Sequence, residues 1–356
     1  VGSFVMGILT DRWLGSRRAL LVSFAGSAVS YLMLGFAESL APLIISRLLV
    51  GFVKHTITIV HTLVAELSTP QERVRSISHI SAAISLAFIV GPFAGGRLTE
   101  WTDLRFPSLV AACLFALDAA VVLLLLPTTP AAPSTHEVST PPASLRTAIM
   151  ALRTVLSSGG PLPGLLIFRF VLNVASSITQ TTTALFLERR FALGPADTGT
   201  YFSVSSLLSL GFQAFVIPPI AGVASHKTTL RAAAVTSIAI SLCEAMHRHY
   251  PTYLLIITPA AALANGLLQT VFTASYTQAA TSTGTATTLA AGNAVDSVAR
   301  TLGPWLAGEL LQRGDAGPSL GTAGAMCVAL LTTPWVAFPG IERVVQVEKD
   351  SERKRK

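Results

Sequence analysis

Arg47, Gly51, Lys54, Thr58 and His61 follow one another at steps of 4, 3, 4 and 3, the spacing of one helix face. His55 lies just beside that stripe. A cation at the centre of a bilayer costs about 2.5–3.5 kcal/mol on insertion scales. Two on one face of an apolar helix therefore imply a wet cavity wall that attracts an anionic solute or pairs with carboxylates. Arg47 held at the membrane surface and Lys54 paired with another helix would satisfy the same pattern. Arg169, Asn173 and Gln180 make a second polar stripe, at steps of 4 and 7. Gln213, Asn265 and Gln269 add amides of the kind that orient a neutral or zwitterionic solute or join helices. Asp296 and Arg300 stand four apart with the acid first, which predicts an intrahelical ion pair, either structural or tied to coupling. His61, then His55, are the groups whose ordinary titration range suits the uptake and release of a proton. Asp118 is assigned a structural role, and Glu244 is expected to snorkel at a helix end. No nucleotide-binding glycine loop, zinc spacing or nucleophile–base pattern occurs. The sequence thus predicts no enzyme, no cofactor and no metal site.

These residues need long apolar elements to hold them. Hydrophobic residues make up 51% of the 356 and charged residues 12%, with a mean hydropathy of +0.61. A soluble domain carries about 25% charged residues, so the bilayer is the implied solvent. Cys113, Cys243 and Cys327 fall inside apolar runs without metal or disulfide spacing and read as small core residues. The net charge of +7 is carried by short basic clusters between apolar runs, a topology signal and not a nucleic-acid surface.

A span needs about 20 mostly apolar residues. The pattern predicts a partial helix over 1–9 and helices near 19–37, 41–66, 77–98, 107–127, 163–186, 198–224, 229–246, 252–274, 286–311 and 319–338, with the softest boundaries in 179–224. The stretch 128–162, rich in Pro and Thr at its start, reads as a flexible linker. It separates an N-terminal bundle over 1–127 from a C-terminal bundle over 163–338, and 339–356 forms a basic tail. Loops 10–18, 67–76, 128–162 and 225–231 and the tail hold fifteen of the 25 Lys and Arg residues, which makes that side cytoplasmic. Linker and tail on one side require an even number of spans between them, namely six. The first residues already belong to an apolar segment, so the chain is expected to start mid-protein.

Gly91-Pro92-Phe93-Ala94-Gly95-Gly96-Arg97-Leu98 returns 212 residues later as Gly303-Pro304-Trp305-Leu306-Ala307-Gly308-Glu309-Leu310. Such duplication in an apolar chain points to two pseudo-symmetric halves. Each Gly-Pro removes a backbone donor and side-chain bulk, which permits a kink and close helix approach. Gly91, Pro92, Gly95, Gly96, Gly303 and Pro304 are therefore candidates for conformational change, as are Asp296 and Arg300.

Three motifs in order resemble the major facilitator superfamily. Gly7-Ile8-Leu9-Thr10-Asp11-Arg12-Trp13-Leu14-Gly15-Ser16-Arg17-Arg18 looks like the family's loop between helices 2 and 3, with one residue too many between Arg12 and Gly15. Arg47-Leu48-Leu49-Val50-Gly51 resembles its helix-4 arginine motif. Gly91-Pro92-x-x-Gly95-Gly96 resembles its helix-5 antiporter motif, with Ser78 and Ala87 where two upstream glycines would stand. The stretch from Arg47 through Glu100 looks closest to an animal branch of carriers related to tetracycline-type proton antiporters.

The resemblance implies an all-α membrane protein with the major facilitator fold, two pseudo-symmetric six-helix bundles of which helix 1 is missing here. It implies a monomeric secondary transporter that moves a small organic solute by alternating access, favours proton antiport, and surrounds itself with lipid. A uniporter of neutral solutes and a membrane sensor or scaffold on the same fold are the rivals. On the same resemblance, Gly7, Asp11, Arg12, Arg17 and Arg18 form a conformational latch, and Arg47 faces the cavity.

Overall fold

The structure is a computed structural model that describes residues 15–53, 56–126, 145–157, 162–223, 226–280 and 285–333. The expected stub over 1–9, Gly7, Asp11, Arg12, Lys54, His55, the start of the linker and the basic tail lie outside the described residues. In hydrocarbon every backbone N–H and C=O must find a partner within the chain, and the described elements are accordingly helices. They are α1 (Gly15–Gly35), α2 (Leu40–Val53), α3 (Thr56–Leu67), α4 (Pro70–Trp101), α5 (Phe106–Leu125), α6 (Leu145–Ser157) and α7 (Leu162–Phe191). Next comes α8, which runs over Pro195–Gly211, widens to π geometry over Phe212–Val216 and resumes over Ile217–Val223. Then follow α9 (His226–Met246), α10 (Tyr250–Thr252, π geometry over Tyr253–Ile257, then Thr258–Ala280), α11 (Thr285–Gln312) and α12 (Gly317–Thr332). Among the described residues, seven of these helices are long and apolar enough to cross a membrane.

Contacts divide the chain into two units, the first drawn from Val1–Ser144 and Gly194–Ser203, the second from Leu145–Leu193 and Val204–Lys356. In the first unit α1 presents small residues to its neighbours. Ser23, Ser27 and Ser30 are buried, and Gly26 and Gly35 leave room for Val53 and Leu109. Lipid is as apolar as leucine, so close packing and hydrogen bonds, not transfer from water, join such helices. Ser30 donates to the Ser46 carbonyl at 2.7 Å, and Ser23 and Thr56 share a bond of 2.9 Å. The start of α4 is fixed by a capping box in which Thr69 and Glu72 bond each other's backbone. Those bonds, first the Thr69 hydroxyl and then its N–H, hold the Glu72 carboxyl below its ordinary range.

The core of the second unit gathers Leu165, Phe168 and Leu172 of α7, Leu268, Phe272 and Tyr276 of α10, Ala291 of α11 and Met326 of α12. Phe168 stacks on Phe272 with ring centroids 5.3 Å apart. Here α7 and α11 form the most extensive helix pair among the described residues.

Three expectations need correction. Residues 145–157 are not irregular linker: they form α6, whose Ala151 and Val155 are buried in the second unit's core. Arg17 and Arg18 lie in the first turn of α1 and not in a loop, because Gly15 takes a positive φ of 67° and starts the helix there. Arg17 donates to the Leu123 carbonyl at 2.6 Å, a cation at the negative end of α5. The three cysteines are exposed on α5, α9 and α12 rather than in the core. An apolar run facing lipid and one facing the core read alike in sequence.

Candidate functional site

Arg169, seven residues into α7, and Asp296, in the middle of α11, meet across 127 positions of sequence. The guanidinium engages the carboxylate in a fork, with Nε to Oδ1 and Nη2 to Oδ2 both at 2.7 Å. Charge-assisted bidentate bonds of this kind are among the strongest that side chains make. Asn173, one turn beyond Arg169, donates its amide to Asp296 Oδ1 and to the Arg169 carbonyl, each at 3.0 Å. Below the fork lies the Tyr276 ring, with the guanidinium carbon 4.8 Å from its centroid, a cation–π contact. Tyr276 is locked in turn by its hydroxyl, which donates to the Thr288 carbonyl at 2.5 Å.

Gly292 makes room for this arrangement. A Cβ there would lie 2.8 Å from Tyr276 Oη and 3.1 Å from Arg169 Cζ. The side chains of Arg169 and Asp296 are only 17% and 16% exposed. They are thus largely desolvated, which strengthens the attraction between them.

The expected Asp296–Arg300 pair does not form. Arg300 is exposed, and Asp296 turns instead toward α7, where a planar fork, an amide and an aromatic floor satisfy it more fully than one flexible neighbour could. Of the second polar stripe, Arg169 and Asn173 join the site, whereas Gln180 is exposed elsewhere on α7. Asn265 and Gln269 are exposed on α10 and Gln213 in the π segment of α8. Tyr276 and Gly292 escaped sequence reading, since an aromatic in an apolar helix reads as core and a lone Gly as packing.

In the first unit Arg47 is exposed on α2, its guanidinium carbon 6.0 Å from the Tyr31 ring, beside an apolar groove lined by Leu43, Ile44 and Leu48. Thr58 and His61 lie on α3, with His61 exposed. Asp118 is exposed on α5.

Pro92 and Pro304 both lie inside continuous helices. Gly91 and Gly95 face open space, and the close approaches fall on other glycines: Gly96 and Gly199 pack backbone to backbone within the first unit, and Gly303 packs on Ser177 in the second.

A family model described as Major Facilitator Superfamily matches residues 1–304, and the chain belongs to that superfamily. It is an integral multi-pass membrane protein and a secondary transporter of small molecules, not an enzyme. Solute carrier family 67 member A1 of Homo sapiens is 25% identical over 327 residues, 90% of this chain and 76% of that protein. Tetracycline resistance protein, class B, of Escherichia coli is 29% identical over 225 residues, 63% of this chain and 54% of that protein, so the match spans about half of that relative. The fold is shared with the human organic anion transporter MFSD10 (TETRAN), at a TM-score of 0.61 and 21% identity over 93% of this chain and 80% of that one. It is shared also with the nucleoside transporter NupG, at 0.72 and 14% over 95% and 87%.

Proposed function

We propose that the chain moves a small organic anion by alternating access, and that the Arg169–Asp296 pair is where solute and proton meet. The observation that carries this reading is the bidentate fork itself, nearly buried yet without a third charge among its bonded partners. In this reading an anionic group engages Arg169 by competing with Asp296 for the face of the guanidinium that the fork occupies. A carboxylate left alone among apolar helices is costly, so Asp296 takes a proton as the anion binds. Asn173 and Tyr276 hold both partners in place during the exchange. The similarity in fold to an organic anion transporter supports an anionic solute.

Solute charge then sets the sign of coupling. An anion on Arg169 brings a proton with it, whereas on a carboxylate released from Arg169 a cation and a proton exclude one another, which is proton antiport. The relatives that confer tetracycline resistance favour keeping this second reading.

Uptake of a panel of carboxylates and organic cations into proteoliposomes, under pH gradients of both directions, tests the proposal. Carboxylate flux that runs with the proton gradient and is lost in Arg169→Ala supports the first reading. Cation flux against it supports the second. Binding without flux returns the protein to the sensor reading, and flux indifferent to both substitution and gradient contradicts any role for the pair.

A further inference from the structure

Glu244 does not snorkel. Near the end of α9, it turns its carboxylate inward, where Tyr253 Oη donates to Oε1 at 2.6 Å and Ser319 Oγ to Oε2 at 3.2 Å. Beside it lies a cavity about the size of one water molecule, whose other walls include Thr179 and Thr183 of α7 and Thr322 of α12.

Each hydroxyl has one proton and two acceptor lone pairs, and here the protons are engaged. Thr183 donates to the Thr179 carbonyl at 2.6 Å and Thr322 to the Pro318 carbonyl at 2.9 Å. Thr179 faces the Ala175 carbonyl at 3.2 Å and the Thr322 hydroxyl at 3.4 Å, so the two protons of Thr179 and Thr322 serve three acceptors. What these side chains offer the cavity is therefore lone pairs, next to one negative charge.

The cationic side chains nearby are turned elsewhere. Arg190 donates to the carbonyls of Ala245 and His247, both at 3.1 Å, and Arg189 lies 3.9 Å from Asp315. His247 bonds Thr252 at 2.6 Å. A single carboxylate with hydroxyl oxygens matches a hard monovalent ion. Divalent ions want more carboxylates and several waters, and softer metals want nitrogen or sulfur.

We propose that the second unit holds a Na⁺ site centred on Glu244, with Ser319, Thr322, Thr179 and Thr183 completing the oxygen shell. Thr179 lies ten residues beyond Arg169 on α7, roughly 15 Å along the axis at the helical rise, so this site is separate from the ion pair. It does not depend on the proposed anion transport. A bound Na⁺ would tie α7, α9 and α12 together at the end of the unit where α7 and α9 finish and α12 begins.

Thermal unfolding of the purified chain in detergent, in NaCl, KCl and choline chloride at equal ionic strength, tests the site without any flux measurement. The expected result is a saturable rise in Tm with Na⁺ that K⁺ and choline do not match, lost in Glu244→Gln and weakened in Thr322→Val. If Glu244→Gln does not fold, Thr322→Val decides, since it removes one oxygen and keeps the side-chain shape. Equal shifts in all three salts would overturn the proposal. So would a Na⁺ response unchanged in the variants, or stabilisation by acid with no response to Na⁺, which would make Glu244 a proton site.

Discussion

Arg47 and Arg169 are each an arginine inside an apolar helix, and the two meet opposite surroundings. Arg169 is gripped by Asp296, which Asn173 supports, above an aromatic floor, whereas Arg47 is exposed beside Leu43, Ile44 and Leu48 with the Tyr31 ring 6.0 Å away. A cation in a membrane helix marks a place where charge must be accommodated, but its sequence does not say how. The accommodation at Arg169 is a carboxylate held in a two-bond fork, the arrangement on which the proposed coupling rests. Arg47 is accommodated by exposure, with the Tyr31 ring as its described neighbour.

The sharpest way to break this comparison is to remove one charge from each setting. Asp296→Asn leaves Arg169 unpaired in a nearly buried setting and should lower stability by about 3 kcal/mol, read as a fall in Tm, while Arg47→Gln should change it by under ~0.5 kcal/mol. Equal losses would erase the distinction, and partial recovery in an Arg169→Asp, Asp296→Arg double variant would sharpen it.

The two Gly-Pro repeats offer the next contrast. A Cβ at Gly303 runs into Ser177 whereas one at Gly91 meets open space. Gly303→Ala should thus cost about 1–3 kcal/mol, relieved by Ser177→Gly, and Gly91→Ala should be neutral or stabilising. Tyr276→Phe keeps the ring under Arg169 and loses the bond to Thr288, a change of about 1 kcal/mol, visible as a modest drop in Tm.

Smallest is the capping box. Because Glu72 titrates below its ordinary value, its contribution is complete above that ordinary value and fades as pH falls through the lowered one. Hydrogen exchange at the first turn of α4 should rise over that acid range, and Glu72→Gln should remove the pH dependence.

Much of the scaffold was legible in the sequence because span length and apolar content are read directly along the chain. The predicted 163–186, 229–246 and 286–311 fall within Leu162–Phe191, His226–Met246 and Thr285–Gln312. What the sequence does not carry is a partner that is remote along the chain or an environment that reads two ways. Asp296 has Arg300 four residues away, but the carboxylate's partner is 127 positions distant on another helix. Glu244 looked like a surface residue until Ser319, 75 positions on, was brought beside it. The cysteines showed that apolar neighbours do not mean burial where lipid is the solvent. For α6, Ala151, Leu152 and Val155 fall on one helix face, a signal hidden behind the Pro-rich stretch that precedes it.

The central claim is that solute and proton meet at one ion pair, and the most direct test is the pH dependence of solute binding. Binding of a radiolabelled carboxylate selected from the transport panel would be measured across pH in the wild type and in Asp296→Asn. Affinity that rises as pH falls in the wild type, with about one proton taken up per anion, and that becomes independent of pH in the variant is the predicted result. The same pH dependence in both proteins would contradict it, and would move the proton to another residue.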